Sequence, residues 1–443
     1  MDDLFSVPSD ASESVRHLYV DYRPLAAPHK NSPIEFYIPG NSPLYVDLRR
    51  TRLATKWHIE EADGTALETT DTVAAINLAH HTMWEDIQLS LQHKQIHSCG
   101  PLYAYKAYVE TLLTSGVDCK ETQLSSEFWF SDTPASFNRL KTQADTPVPT
   151  SNEDKTDDES PVPSIEKSTD LNEGFIDREK LTHGGLACDT EGPLHLDICQ
   201  QTRPIINGVD IHIKLWPSKP SFSLMSGDEL KKYEIVIDEI YLRVCKVEMK
   251  KSVLDKNESH IRRTMAKYPM QRTVMKAYNI AAGLSSFTVE NPYQGSIPNK
   301  LLVFMVRGSA VDGSYTDNPL YFRHTYMNNI AFYVEGESVP APPQRPEFGL
   351  GSQIYTSSYD ALFTLLGQER CDFGNGLTHT AYSRGYTIFA FDVAGHNKMK
   401  QPDGHSRIEL HFKKKLVKAM TMFTYAVFPS VLEIDKDRQV HES

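Results

Sequence analysis

The same order of short β-prone segments occurs twice along this chain of 443 residues. Ile87 lies in such a segment in the first half, and Ile330 lies in its counterpart 243 residues later. The phrase Tyr105-Lys106-Ala107 reappears as Tyr359-Asp360-Ala361 at an offset of 254, and each phrase runs into Leu-Leu near a glycine. Self-similarity of this kind predicts two halves with one plan, and chance similarity of short segments is the alternative.

Within each half, apolar residues follow the period of strands more often than that of helices. Ile87, Leu89 and Leu91 alternate with polar residues, as in a half-buried strand. One stretch in each half has the helical spacing i, i+3, i+4, i+7. Its members are Tyr105, Tyr108, Val109 and Leu112 before Gly116, and Tyr359, Leu362, Phe363 and Leu366 before Gly367. We therefore expect an all-β fold with a few short helices, arranged as two antiparallel sandwiches in tandem.

An acidic segment at residues 145–173 interrupts the first half. It holds nine acidic residues, two lysines and four prolines but no aromatic residue. Such a composition buries too little apolar surface to offset ordering, so the segment is predicted to be a disordered loop, either simply solvated or a tether for a partner. Beyond it, Ile211 matches Ile408 at an offset of only 197. The shorter offset indicates that the segment is an insertion into the first half, not the linker between the halves.

The boundary between the halves is placed at a predicted helix over residues 251–268, which Ser252 and Asp255 would cap and Pro269 would end. The division that follows is an N-terminal arm (1–30), a first sandwich (31–250), the junction helix (251–268), a second sandwich (269–436) and a tail (437–443). The junction is basic, with eight Lys or Arg residues against three acidic ones between Lys246 and Arg272.

Two basic clusters are candidate contacts for nucleic acid or for a neighbouring subunit. They comprise Lys250, Lys251, Arg262 and Arg263 at the junction, and Lys413, Lys414 and Lys415 further on. The alternative for the second cluster is a solvated hairpin end.

Catalytic and cofactor motifs are absent from the sequence, which contains no nucleophile elbow, phosphate-binding loop, dinucleotide fingerprint or H-E-x-x-H pair. His80-His81 is the most suggestive local pair. On a strand the two rings would point to opposite faces, so we expect structural or surface histidines and no metal site. The sequence thus predicts neither an enzyme nor a cofactor. No apolar run approaches the length of a membrane span, and no secretory signal is visible at the N-terminus.

A family resemblance rests on phrases that run in order from about residue 20 to about residue 436. In the first half they are Tyr22-Arg23-Pro24-Leu25, Ser32-Pro33-Ile34-Glu35-Phe36-Tyr37-Ile38-Pro39-Gly40, Tyr45-Val46-Asp47-Leu48 and Asn207-Gly208-Val209-Asp210-Ile211. In the second half they are Ala266-Lys267-Tyr268-Pro269, Gly313-Ser314-Tyr315-Thr316-Asp317-Asn318-Pro319, Arg384-Gly385-Tyr386-Thr387-Ile388-Phe389-Ala390-Phe391-Asp392 and Arg407-Ile408-Glu409-Leu410. Together they resemble the capsid proteins of Maverick/Polinton-type virus-like elements, a family of double jelly-roll major capsid proteins.

The resemblance implies two tandem eight-stranded antiparallel jelly rolls in one chain. It also implies a homotrimer whose six jelly rolls form a pseudo-hexameric capsomer of an icosahedral shell, assembled inside the host cell. The implied partners are other copies of the chain, a vertex or minor capsid protein and, through non-specific contacts, packaged DNA. The acidic insertion is a departure from the family pattern.

Three other functions are weighed against a capsid role. A host-retained copy of the fold would serve as an interaction or scaffold module. A vertex-forming minor capsid protein is disfavoured because such proteins commonly use one jelly roll. A carbohydrate-binding sandwich is disfavoured because the chain has only four Trp residues.

Overall fold

The computed structural model describes residues 14–29, 32–97, 100–140, 171–228, 230–349, 353–394 and 404–442. The strands of the first half are β1 (Ser14–Tyr22), β2 (Ile34–Ile38), β3 (Tyr45–Glu61), β4 (Val73–Ala75), β5 (Trp84–Leu91), β6 (Lys94–His97), β7 (Cys188–Pro193), β8 (Ile211–Pro217), β9 (Leu224–Ser226) and β10 (Tyr233–Met249). The strands of the second half are β11 (Ala266–Ile280), β12 (Ser286–Glu290), β13 (Lys300–Arg307), β14 (Met327–Val334), β15 (Glu337–Gln344), β16 (Phe389–Asp392), β17 (Ser406–Phe412), β18 (Met420–Ile434) and β19 (Val440–Glu442).

The first half is a jelly roll made of two facing antiparallel sheets. Their strand orders are β1-β10-β3-β7 and β2-β8-β5-β6, and β4 pairs with β9 beside them. The long pair β3–β10 sets the register by placing Tyr233 opposite Glu61 and Val247 opposite Tyr45. Alternate residues of β3, such as Trp57 and Ile59, are fully buried between the sheets. This alternation is what a sheet with one wet face requires.

The second half repeats this plan strand for strand. Its sheets have the orders β11-β18-β13-β16 and β12-β17-β14-β15, and β19 adds to β18. The residues matched by the sequence offsets lie in corresponding strands of the two rolls: Ile87 in β5 and Ile330 in β14, and Ile211 in β8 and Ile408 in β17. Strand β5 has the same position in its sheet as β14, and β8 the same as β17, so the predicted double jelly roll is confirmed.

Short helices and turns fill the connections. In chain order the helices are α1 (Ala79–Thr82), α2 (Tyr103–Thr114), α3 (Val117–Glu121), α4 (Glu173–Thr182), α5 (Asp197–Gln200), α6 (Pro220–Ser223), α7 (Lys251–Ile261), α8 (Gly308–Asp312), α9 (Thr356–Leu366) and α10 (His379–Ser383), with 3-10 turns at Gln123–Glu127 and His183–Gly185. Helices α2 and α9 are the two predicted from helical spacing, and each follows the equivalent strand of its own roll. Gly367 ends α9 at a φ of 67°, a left-handed conformation that glycine adopts without strain.

The structure differs from the predicted division at the chain ends and at the junction. Part of the predicted arm is β1, which pairs with β10, and part of the predicted tail is β19, which pairs with β18. The junction helix α7 is shorter than predicted and has Lys250 at its N-cap, without a side-chain cap from Ser252. Pro269 does not end this helix but lies inside β11, opposite Val431. An edge strand accommodates proline because its outward side needs no ladder hydrogen bond.

The two jelly rolls share one apolar core. A single cluster of buried side chains contains residues of both, and α2 of the first roll is buried along all but its last residue. Tyr105 of α2 packs on Phe423 of β18 with ring centroids 4.3 Å apart, and Phe137 stacks on Tyr321 at 4.6 Å. The boundary at the junction therefore separates two topological units, but not two cores.

Most of the acidic insertion, residues 145–170, lies outside the described residues. Its last three residues are described, and here the prediction of disorder is wrong. Asn172 is fully buried and caps α4 by accepting a hydrogen bond from the Phe175 amide. The amide of Asn172 also donates to the Arg139 carbonyl at 2.9 Å, so the chain leaves and returns at almost the same point.

Candidate assembly surfaces and the polar junction

The predicted basic contact residues are all exposed in the structure. Lys250, Lys251, Arg262 and Arg263 flank α7, and in the part of the chain that the structure describes no carboxylate pairs with them. The start of β1 and strand β19 lie at the same end of the molecule, because Ser14 pairs with Met249 and Val440 with Ile434. This end, the α7 end, thus gathers the junction helix and both described chain ends.

The second basic cluster lies at the opposite end of the second roll. Lys413, Lys414 and Lys415 precede Met420, which pairs with Ile280 at the far end of β11. The other end of β11, Ala266, lies next to α7. At a rise of about 3.3 Å per residue, the two clusters are roughly 45 Å apart. The structure therefore does not bring them together into one basic surface, and Lys414 lies over the Tyr326 ring at 5.2 Å.

A buried polar network links the two rolls beside α2. Lys106 is fully buried and contacts Glu110 Oε1 at 2.6 Å and Asp197 Oδ1 at 3.1 Å. Glu110 then accepts a hydrogen bond from the Tyr425 hydroxyl of β18 at 2.8 Å, and Asp197 accepts one from the Thr273 amide of β11 at 2.8 Å. Two carboxylates of the first roll are thus bound by the second roll.

The charge of Glu110 is held by this network. Burial alone would raise the pKa of Glu110, but the Lys106 ammonium and the His195 hydrogen bond outweigh it and lower the pKa to about 2. Burial raises the pKa of Tyr425, so its hydroxyl keeps the proton that it donates to Glu110. An ionised carboxylate is therefore a fixed part of the junction.

A second polar link surrounds Asp132. The fully buried Arg178 pairs with Asp132 Oδ1 at 2.7 Å. The Tyr386 hydroxyl donates to the Asp132 carbonyl at 2.7 Å, and Asn318 contacts its carboxylate at 3.3 Å. Tyr386 and Asn318 belong to the second roll, so this link also crosses the junction.

His80 and His81 depart from the prediction because they lie on helix α1 and not on a strand. Both side chains are buried, and their rings meet edge to face with centroids 4.7 Å apart. Burial is the main cause that lowers the pKa of His80, to about 3, so this imidazole is neutral. The residues that surround the pair, Glu127 and His195, are distant in sequence and carry no motif that would have revealed them.

Comparisons with known proteins give relatives with low sequence identity that span nearly the whole chain. No family model matches. An uncharacterized protein of Caenorhabditis elegans is 22% identical over 420 residues, which cover 91% of each chain. No described helix has the length and apolar character needed to cross a membrane.

Solved structures match over nearly the full length of both chains. A chain of the Sputnik virophage aligns with a TM-score of 0.63 and 11% identity, covering 99% of this chain and 90% of its own. The major capsid protein of mavirus aligns with a TM-score of 0.56 and 10% identity, covering 100% and 93%. The Faustovirus major capsid protein aligns with a TM-score of 0.53 and 10% identity, covering 98% and 92%. The fold is that of double jelly-roll major capsid proteins.

Proposed function

We propose that the chain is the major capsid protein of a virus-like element and trimerises into pseudo-hexameric capsomers of an icosahedral shell. The observation that carries the proposal is that the double jelly roll aligns over 100% of this chain and 93% of the mavirus major capsid protein, and over 98% and 92% for that of Faustovirus. The resemblance of the sequence phrases to those of Maverick/Polinton-type capsid proteins supports it. Three chains with two similar rolls each form a closed ring of six units, and such closure needs no active site.

The neighbouring chain would dock on α9. Helix α2 is buried because the second roll covers it, whereas its counterpart α9 leaves Tyr359, Phe363 and Leu366 partly exposed. A cleft of about 560 Å³ lies beside Tyr359 and Phe363. In a ring of six similar units each roll meets the next in a similar way, so α9 would be covered by the first roll of the next chain.

Light scattering coupled to size exclusion tests the trimer. The full chain at micromolar concentration should elute with three times the mass of the chain. The variant Phe363→Glu should be a folded monomer with the circular dichroism spectrum of its parent and a lower melting temperature, because association stabilises the parent. Val417→Glu, at an exposed position on the far end of the second roll, should remain trimeric. A parent protein that is only monomeric at this concentration would contradict the proposal.

We further propose that the α7 end faces the interior of the shell and contacts packaged DNA non-specifically. Four of its exposed cations, Lys250, Lys251, Arg262 and Arg263, would bind phosphates, and such binding weakens steeply with salt. Replacing Lys250, Lys251, Arg262 and Arg263 by Glu should reduce the affinity for duplex DNA. The remaining affinity should also depend less steeply on the salt concentration. The same change at Lys413, Lys414 and Lys415 should have little effect, and equal losses in both variants would refute the orientation.

A further inference from the structure

We propose that His81, Glu127 and His195 form a binding site for Zn²⁺ or a similar first-row transition metal inside the first jelly roll. One ligand atom from each residue lies within 4.8 Å of the other two. Two imidazole nitrogens and one carboxylate oxygen are a ligand set that zinc prefers in proteins. This inference does not depend on a capsid role.

The three side chains come from three separate segments. His81 lies on α1, Glu127 ends the 3-10 turn at Gln123–Glu127, and His195 follows β7. His81 Nε2 is 3.0 Å from Glu127 Oε2, and the rings of His81 and His195 meet edge to face at 4.6 Å. Ligand atoms of a tetrahedral zinc site lie about 3.3 Å apart, given bonds of about 2.0–2.1 Å. The ligand atoms, which lie within 4.8 Å of one another, would therefore need to approach by at most about 1.5 Å.

Both imidazoles are oriented through their Nδ1 atoms. His81 Nδ1 lies 3.0 Å from the Tyr103 hydroxyl, and His195 Nδ1 lies 2.7 Å from Glu110 Oε2. A carboxylate or hydroxyl on the far nitrogen is the usual second layer of a histidine–metal site, because it fixes the ring and its tautomer. His195 Nε2 has a weak contact of 3.4 Å with Thr111 Oγ1, which a metal bond would replace.

The charge of the cluster also fits a cation. The Glu127 side chain is only 9% exposed, and among the described residues no Lys or Arg pairs with it. A divalent cation would compensate this buried negative charge.

Gly192 of β7 makes room for the cluster. A Cβ atom at this position would lie 2.8 Å from Cγ and Cδ of Glu127 and 3.0 Å from Cδ2 of His80. Real Cβ atoms do not approach so closely, so only glycine allows β7 to run against these side chains. Gly192 thus makes room for Glu127, one of the three proposed ligands, and for the neighbouring His80.

A metal here would fasten α1, the 3-10 turn and the end of β7 to one another. Through Glu110 it would also be joined to Tyr425 of the second roll. Because such a site forms only in the folded chain, metal binding would stabilise the first roll and its junction with the second.

Zinc titration of the full chain tests the proposal. After dialysis against a chelator, the protein should take up one Zn²⁺ per chain in competition with a chromophoric chelator, and its melting temperature should rise. His81→Gln and His195→Gln should weaken binding by on the order of 100-fold or more, and Tyr103→Phe by about tenfold. Glu127→Gln preserves the side-chain shape and should also lose Zn²⁺ binding. This variant still tests the proposal if a histidine variant does not fold.

His212→Gln is the matched control. His212 Nε2 lies 3.0 Å from Glu35 Oε2, the same distance as in the His81–Glu127 pair, but this pair is partly exposed on strands β8 and β2. This variant should bind Zn²⁺ as the parent does. Less than one tightly bound Zn²⁺ in the folded parent overturns the proposal, and so does binding that survives Glu127→Gln. Neither result depends on whether the chain forms trimers.

Discussion

Lys106 and Glu110 lie one helical turn apart on α2, a spacing at which helices usually carry an exposed ion pair. In the structure both are buried, and each has further partners in segments that are far away in sequence. The sequence predicted the apolar side of this helix correctly but gave no reason to expect its polar side at a domain junction. Burial of a charged pair depends on what covers the helix, and the cover here is the second jelly roll.

Glu110→Gln should destabilise the fold by about 3 kcal/mol, because it leaves the buried Lys106 with one charge fewer to pair with. Urea denaturation at pH 7 measures the change in the free energy of unfolding. Glu409→Gln, on the surface beside His411, is the control and should cost less than about 1 kcal/mol. A loss below 1 kcal/mol for the Glu110 variant would show that the junction does not need this charge.

The same variant should change the dependence of stability on acid. The pKa of Glu110 is about 2 when folded and has an ordinary value of 4.5. A lowered pKa means that the ionised form contributes stability above about pH 4.5, and this contribution is lost as the pH falls toward 2. The parent should therefore lose stability more steeply between pH 5 and pH 2 than Glu110→Gln. Parallel curves for the two proteins would count against an ionised Glu110 at the junction.

Gly192→Ala should lower the free energy of unfolding by about 1–3 kcal/mol, because the added methyl group would overlap Glu127 and His80. Gly116→Ala is a suitable control, since a Cβ there meets nothing closer than the Gly374 carbonyl at 3.9 Å and φ is negative. In thermal unfolding, Gly192→Ala should have a clearly lower melting temperature than Gly116→Ala. Equal melting temperatures would mean that β7 moves enough to accommodate the methyl group without loss of stability.

Whole elements were predicted better than their ends. The hydrophobic period and the offset between the halves identified equivalent strands and both long helices of the connections. The predicted junction helix is too long because a proline such as Pro269 predicts a helix end, although an edge strand also accepts proline. The prediction of a strand at His80-His81 is wrong because one helical turn, Ala79–Thr82, is too short to leave a periodic pattern. Short elements are determined by their tertiary surroundings, which a local pattern does not contain.

Two deletions in the acidic insertion, which differ only in whether they remove residues 171–173, test the structural role of Asn172. Removing residues 145–170 should leave the melting temperature nearly unchanged, since Arg139 and Asn172 are already hydrogen-bonded to each other. Removing residues 145–173 also deletes Asn172, whose side chain caps α4 and donates to Asp132 Oδ1 at 2.7 Å. We expect this larger deletion to cost about 1–3 kcal/mol more. Similar melting temperatures for both deletions would contradict the structural role of Asn172.

At the scale of the molecule, duplication in the sequence does not mean independence in the structure. The two rolls have equivalent strand orders, yet their facing surfaces differ: one presents α2, the other presents β13 and β18. Nothing in the sequence of either half reveals this pairing, because it depends on how two finished sheets approach each other.

The shared core predicts that the chain unfolds as one unit. Calorimetry of the full chain, under conditions where it is monomeric, should show a single transition whose calorimetric and van't Hoff enthalpies agree. Tyr105→Ala removes the ring that packs on Phe423 and should lower the stability by about 3–5 kcal/mol while leaving the transition single. The matched change on α9, Tyr359→Ala, should cost less because Tyr359 is partly exposed in the monomer. Two separate transitions would instead mean that each roll holds its own core, and the junction would then be a docking contact between independent domains.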